Sequence, residues 1–316
     1  MTTTTKSTDT FDTRKQVKMK RNLILLFSIL LLSHCGWSRQ FTEKLKLVTT
    51  TSLIGNIVQQ IGGDKVEVTT IVPGGMCPGH FDVRPGDIKL LSDAQIFLIH
   101  GWESFVEKLV NSVRSRKLLV KTINVQGNWM VPDIQLRAVD AITNILCKIN
   151  PENAKYFRNQ SNIYQKQILA LKREIKQKAK NKRVNRISVV CSEMQAEFVK
   201  WLGFNVVATY GRPSDLTASK IKEVLDRARR ENVKIVIDNL QSGPDAGIPI
   251  ANEIGGVHVV LTNFPIDSYL QSLQDNASKL FEAVDKIPMS FKPAQLRNES
   301  ILDSTLEKRN ALYCRY

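Results

Sequence analysis

The chain is expected to be an α/β protein. Two similar lobes, each a parallel sheet flanked by helices, are joined by one long rigid backbone helix. Three observations predict this. From residue 45 onward β-rich runs alternate with helical patterns, the same alternation restarts near residue 186, and one long helical pattern lies between the two stretches. Strands that alternate with helices imply a parallel sheet covered on both faces, because each crossover helix packs back onto the sheet.

In the first lobe (45–148), LKLVTTT at 45–51 is β-rich. It gives way to Leu53, Ile54, Ile57, Val58 and Ile61, which share one helix face. VEVTTIV at 66–72 alternates and stops at Pro73-Gly74-Gly75. A short helix follows Pro85. QIFLI at 95–99 is a continuous apolar run, as buried parallel strands are. Phe105, Val106, Leu109 and Val110 mark another helix, and LLVKTINV at 118–125 the next strand.

The linking segment (149–183) starts with Asn150, a good N-cap, and Pro151, which suits the first helical position. Phe157, Tyr164, Ile168, Leu171 and Ile175 define one face, and the cations of KQKAKNKR at 176–183 suit a helix C-terminus. One unbroken helix over 151–180 would be about 45 Å long. It is expected to pack along both lobes; a free coiled-coil arm is the alternative. The second lobe (184–287) repeats the grammar. Strands are expected at 186–191, 205–210, 234–240 and 257–263. Helices are expected at 194–203, after Thr217, at 248–255 and through Leu270–Val284. His258 falls inside a strand and is expected in the core. The tail at 288–316 receives no assignment.

Hydrophobic residues make up 42% and charged residues 24%, enough for a buried core, which excludes a wholly disordered chain or a many-span membrane protein. The formal charge of +15 suggests an anionic partner, but no basic stripe interleaved with aromatics accompanies it. A solvated surface is expected, not a nucleic-acid face. Five cysteines without CxxC spacing argue against a zinc ribbon, a redox motif or a disulfide framework.

Residues 1–35 read as an address. LILLFSILLL at 23–32 follows Lys20 and Arg21. As a helix it spans about 15 Å, too short for a bilayer core and right for a secretory signal. Met19 is the expected start. Leu32-Ser33-His34-Cys35-Gly36 is similar to a lipobox, with His34 replacing a small residue, and makes Cys35 the expected lipidation site. An uncleaved anchor or simple secretion are the alternatives.

No GxxxxGK[ST] loop, no GxGxxG after the first strand, no GxSxG elbow and no HExxH occur. In open α/β sheets ligands bind outside the carboxyl ends of the strands. Residues there include the loop 73–87, His100 to Glu103, Gly127 to Trp129, Ser192-Glu193, Tyr210 to Arg212, Asn239 to Gly243 and Thr262-Asn263. If the lobes face each other, these ends share one cleft.

Residues 48–103 resemble the N-terminal lobe of the zinc/manganese-binding substrate-binding proteins of ABC metal importers, the TroA-like family. Its loop of Pro, Gly, Asp-Pro-His, aromatic, acid and Pro-x-Asp corresponds to Pro73, Gly75, Cys77-Pro78-Gly79-His80, Phe81, Asp82 and Pro85-Gly86-Asp87. Residues 149–175 resemble the family's backbone helix, and Glu193 through Asn263 tracks its second lobe, for coverage of about 45–286. The resemblance implies one metal held between the lobes by four side chains. His80 matches the first-lobe histidine. The second histidine's place, two before a tryptophan, is Gly127 before Trp129. Glu193 stands where a second-lobe His or Glu is usual, and Asn263 near the usual Asp. The His- and Asp-rich loop of zinc members is absent.

The expected ligand set is therefore His80, His100 and Glu193, with water or Asn263 in the fourth place. Glu103 is a substitute for His100, and Cys77 would favour zinc over manganese. The expected function is capture of Zn²⁺ or Mn²⁺ by an extracytoplasmic, lipid-anchored monomer that delivers it to an importer's permease and ATPase, with no reaction and no nucleic acid. Three rivals stand beside it. The same fold could take a metal chelate or small organic anion through Arg212, Asn239, Gln241 and Ser242. The chain could be an adhesin-like surface protein. Glu193 and His80 could serve as acid and base in a doubly wound enzyme.

Overall fold

The β-branched run at 45–51 forms β1 (Leu45–Thr51), buried from Leu47 to its end. Only a central strand covered on both faces reaches that state. The computed structural model describes residues 44–113 and 118–287. The signal, Met19, Cys35 and the tail from residue 288 lie outside them. β2 (Val66–Val72) pairs in parallel with one side of β1, from Leu45↔Val66 to Thr51↔Val72. β3 (Ile96–Ile99) pairs with the other side, and β4 (Leu119–Thr122) flanks β3, giving the order β2-β1-β3-β4. β4 is shorter than the apolar run 118–125 suggests, because the chain folds back on itself where Val125 N–H donates to Ile123 O (2.8 Å).

α1 (Ser52–Gly62), α2 (Pro85–Ser92) and α3 (Val106–Ser112) cover this sheet. α1 inserts Ile54, Ile57, Val58 and Ile61 with no exposed surface. Each such side chain contributes about 1.5–3 kcal/mol on burial.

α4 (Pro132–Ile149) is a helix that the strand-and-helix reading of the sequence did not name. α5 (Ala154–Asn181) is the long linking helix. The two run antiparallel. Thr143 meets Ser161, Gln165 donates to Asp140, and Lys172 pairs with Asp133. The expected single helix from residue 151 begins instead with a 3₁₀ turn, Pro151–Asn153. Asn150 Oδ1 accepts from Asn153 N–H (3.1 Å) and closes that turn before the α-helix starts. α5 buries Phe157, Ser161, Tyr164, Ile168, Ile175 and Ala179 along one stripe. It packs on α1 of the first lobe and on the last helix of the second, so it is no free arm.

The second lobe repeats the topology. β5 (Ser188–Ser192), β6 (Asn205–Tyr210), β7 (Ile235–Asn239) and β8 (Val257–Leu261) are parallel in the order β6-β5-β7-β8. α6 (Ala196–Leu202), α7 (Ala218–Arg230), α8 (Ile248–Ile254) and α9 (Tyr269–Lys286) cover them. Thr217 caps α7 as expected, its hydroxyl accepting from Lys220 N–H (3.2 Å). His258 is not an apolar core residue. It is half-buried, and its Nε2 lies 2.6 Å from Asp238 Oδ2. Asp238 is fully buried and also accepts from Tyr210 Oη (2.6 Å) and Gly247 N–H (2.8 Å). An imidazole beside a buried carboxylate is held there by that charge.

Candidate functional site

In both sheets the strand order reverses at the middle: the chain goes from β1 to β2 on one side, then crosses to β3 on the other side of β1, and β5, β6 and β7 repeat this. Such a switch point opens a crevice at the carboxyl ends of the central strands. Thr51 and His100 stand at that point in the first lobe, Glu193 and Asn239 in the second. The two crevices meet in one cleft of about 1020 Å³, lined by Cys77, His100 and Trp129 on one side and by Glu193, Arg212 and Asn263 on the other.

His100 is fixed from three directions. Trp102 stacks on its ring at 5.2 Å between centroids, and Trp129 meets it edge-on at 4.5 Å. Its Nε2 lies 2.8 Å from Thr51 Oγ1. Desolvation lowers its pKa to about 4, against a smaller opposing pull from Glu103. The ring is therefore neutral at physiological pH, the form that ligates a metal.

Glu103 serves the loop. Its Oε1 accepts from His100 N–H (2.9 Å) and from the Thr50 hydroxyl, and its Oε2 from Gly101 N–H (2.7 Å) and Trp102 N–H (3.1 Å). A carboxylate with four donors and 6% exposure holds the His100 loop in shape and is spent as a metal donor.

His80 is exposed at the rim, in a 3₁₀ turn Pro78–His80. Arg212 Nη1 donates to its Nε2 at 3.4 Å, so the lone pair that would bind a metal faces a guanidinium. Cys77, half-buried, lines the cleft as a free thiol. Cys147 and Cys191 are buried, and burial pushes the Cys191 thiol up to about 12. Glu193 is exposed and borders the cleft.

Asn263 is committed to protein contacts. Its Nδ2 donates to Met194 O (2.9 Å) and its Oδ1 accepts from Asn128 Nδ2 (3.0 Å). Asn239 donates to Ser242 Oγ (2.7 Å), and Gln241 donates to Thr262 Oγ1 (2.7 Å) while accepting from Asn263 N–H (3.0 Å). Of the polar group expected around Arg212, the two amides hold loops together. Ser242, whose oxygen already accepts, keeps its hydroxyl proton to donate.

Gly127 stands where the resemblance implies a second histidine. Its φ is +103°, and a Cβ there would stand 2.6 Å from Ile134 Cδ1 and 3.1 Å from Glu197 Oε1. The backbone conformation strains any residue with a side chain. Asn128, which the sequence reading placed only at a strand end, takes over this corner: its N–H donates to Glu197 Oε2 (2.6 Å) and its amide to Met194 O (3.1 Å). The first-lobe loop also touches the second lobe at Gly74, where a Cβ would stand 2.0 Å from Pro265 O. Among the described residues, no three His, Cys, Asp or Glu side chains are gathered closely enough to hold a metal ion. His80, His100 and Glu193 are thus spread around the cleft and do not converge.

Two parallel-sheet lobes facing one cleft across a long helix define a two-lobed binding protein. A family model, zinc-uptake complex component A, periplasmic, matches residues 47–283, and the chain belongs to that family. The manganese ABC transporter substrate-binding lipoprotein PsaA of Streptococcus pneumoniae is 25% identical over 304 residues, covering 83% of this chain and 96% of its own. The manganese-binding lipoprotein MntA of Halalkalibacterium halodurans is 22% identical, covering 81% and 95%. The periplasmic zinc-binding protein TroA of Treponema pallidum shares the fold at a TM-score of 0.67 and 17% identity, over 76% of this chain and 99% of its own.

Proposed function

We propose that the chain is the extracytoplasmic binding component of an ABC importer and captures a divalent transition metal, zinc or manganese, in the interlobe cleft. The observation that carries this reading is the neutral, tryptophan-clamped His100 at one switch point, lining the same cleft as Glu193 at the other, in a chain of this family. His100 and Glu193 are the proposed donors. His80 joins them when Arg212 releases its Nε2, and Cys77 is a softer neighbour that favours zinc. The relatives' names speak of substrate-binding lipoproteins. On that model Cys35 carries the lipid anchor, an importer's permease and ATPase are the partners, and the monomer does no chemistry. No helix among the described residues is long and apolar enough to cross a membrane.

The test is elemental analysis and zinc and manganese titration of the protein from Cys35 onward. One bound equivalent, weakened at least tenfold (about 1.4 kcal/mol) by His100→Ala, supports the reading. Absence of binding to either metal refutes it. Cys35→Ala should release the protein from membranes.

A further inference from the structure

The cleft holds one residue that a bare cation site has no use for. Arg212 follows β6 and lines the cleft. Among the described residues no carboxylate stands within ion-pair distance of it; its hydrogen-bond partner is His80 Nε2 at 3.4 Å. A guanidinium is always charged, and its planar fork matches carboxylate and phosphate oxygens. Placed on the first-lobe donor, it repels a naked divalent ion and occupies the lone pair that ion needs.

Three further features point the same way. The protein's own donors are too few and too dispersed to complete a coordination shell, since no three gather. The cleft, at about 1020 Å³, is far larger than an ion. One wall is aromatic: Trp102 lines it with 56% of its surface exposed, an apolar face that an organic ligand can cover.

From these we infer that the metal is captured as an anionic organic complex. A carboxylate chelator supplies part of the coordination shell, and its free carboxylate pairs with Arg212. Binding this cargo draws the guanidinium off His80 and frees that imidazole toward the metal. Ser242 Oγ–H, on the same side of the cleft, is a second donor to the chelator. The inference deepens the metal-capture reading and rests on it.

Zinc citrate is the probe. Metal-free protein is dialysed to equilibrium against radiolabelled citrate, zinc chloride, or both. Citrate should be retained only with zinc, and zinc at least tenfold more tightly with citrate than without. Arg212→Gln should cut retention of zinc citrate tenfold or more and strengthen binding of zinc alone, because the competing charge is gone. Arg212→Lys, which keeps charge but loses the fork, should fall between. Equal affinity for zinc with and without citrate, indifferent to Arg212→Gln, overturns the inference and leaves the metal reading standing. Citrate held equally well without zinc overturns it in favour of an anion site. Failure to bind zinc in any form removes both.

Discussion

Asn128 and Asn263 meet side chain to side chain across the cleft, the Asn128 amide donating to Asn263 Oδ1 at 3.0 Å. Asn128 belongs to the first lobe and Asn263 to the second, and both amides also donate to the carbonyl of Met194. The pair is a clasp between the lobes at the corner beside Gly127.

Asn263→Asp should expose that clasp. One carboxylate oxygen would face Met194 O where an N–H now donates. Losing that exposed bond and gaining a repulsion should cost about 0.5–1.5 kcal/mol in the metal-free protein. Zinc should then raise the melting temperature of the variant more than that of the parent, since a cation relieves the repulsion. Unchanged stability by urea denaturation would show the clasp to be energetically idle.

Gly127→His should not restore a metal ligand. A non-glycine residue at that φ carries strain of about 1–3 kcal/mol, and the Cβ collides with Ile134. Lower stability without gain in zinc affinity is expected. A variant of parental stability that binds zinc more tightly would contradict the geometry.

Ile168 lies on the buried stripe of α5 with no exposed surface. Ile168→Pro should cost about 3 kcal/mol or more through the lost helix bond and ring clash. An unchanged melting temperature would mean that this stripe is not packed.

The pKa of His100 is lowered to about 4, below the ordinary 6.5, chiefly by burial. Between those values the unfolded chain binds a proton that the folded chain does not. The contribution to stability is therefore fully present above about pH 6.5 and is lost as the pH falls toward 4. The imidazole resonances of His100 in the metal-free protein should show no titration near 6.5. A midpoint there would place the ring in water.

The two lobes were legible because central strands such as IFLI and IVIDN are buried on both faces while the helices are apolar on one. LKLVTTT and NVVATY match β1 and β6 residue for residue. α4 is less legible, because Ile134, Ala138, Val139, Ile142 and Leu146 directly follow a strand end and a Gly-Asn-Trp loop whose residue types suit a ligand-binding turn. Donor geometry was less legible. Sequence shows that Glu103 and His100 share a loop, but not that Glu103 turns inward onto four donors. Nor does a glycine in the family histidine's place disclose its positive φ. Arg212 beside His80 is a contact over 132 positions that no local pattern encodes.

One apolar core runs without a break from Leu47 and Ile54 through Phe157, Tyr164 and Ile168 to Ile235 and Leu273. The two halves therefore should melt together in a single transition despite their duplicated topology, and neither should be recoverable alone, because severing them would lay an oily seam bare to water. The same seam sets how cargo leaves. A wide swing of one half away from the other would tear that shared interior, so release must come from prising rim loops apart. An importer that takes cargo from this cleft is therefore expected to touch loops of both halves at once.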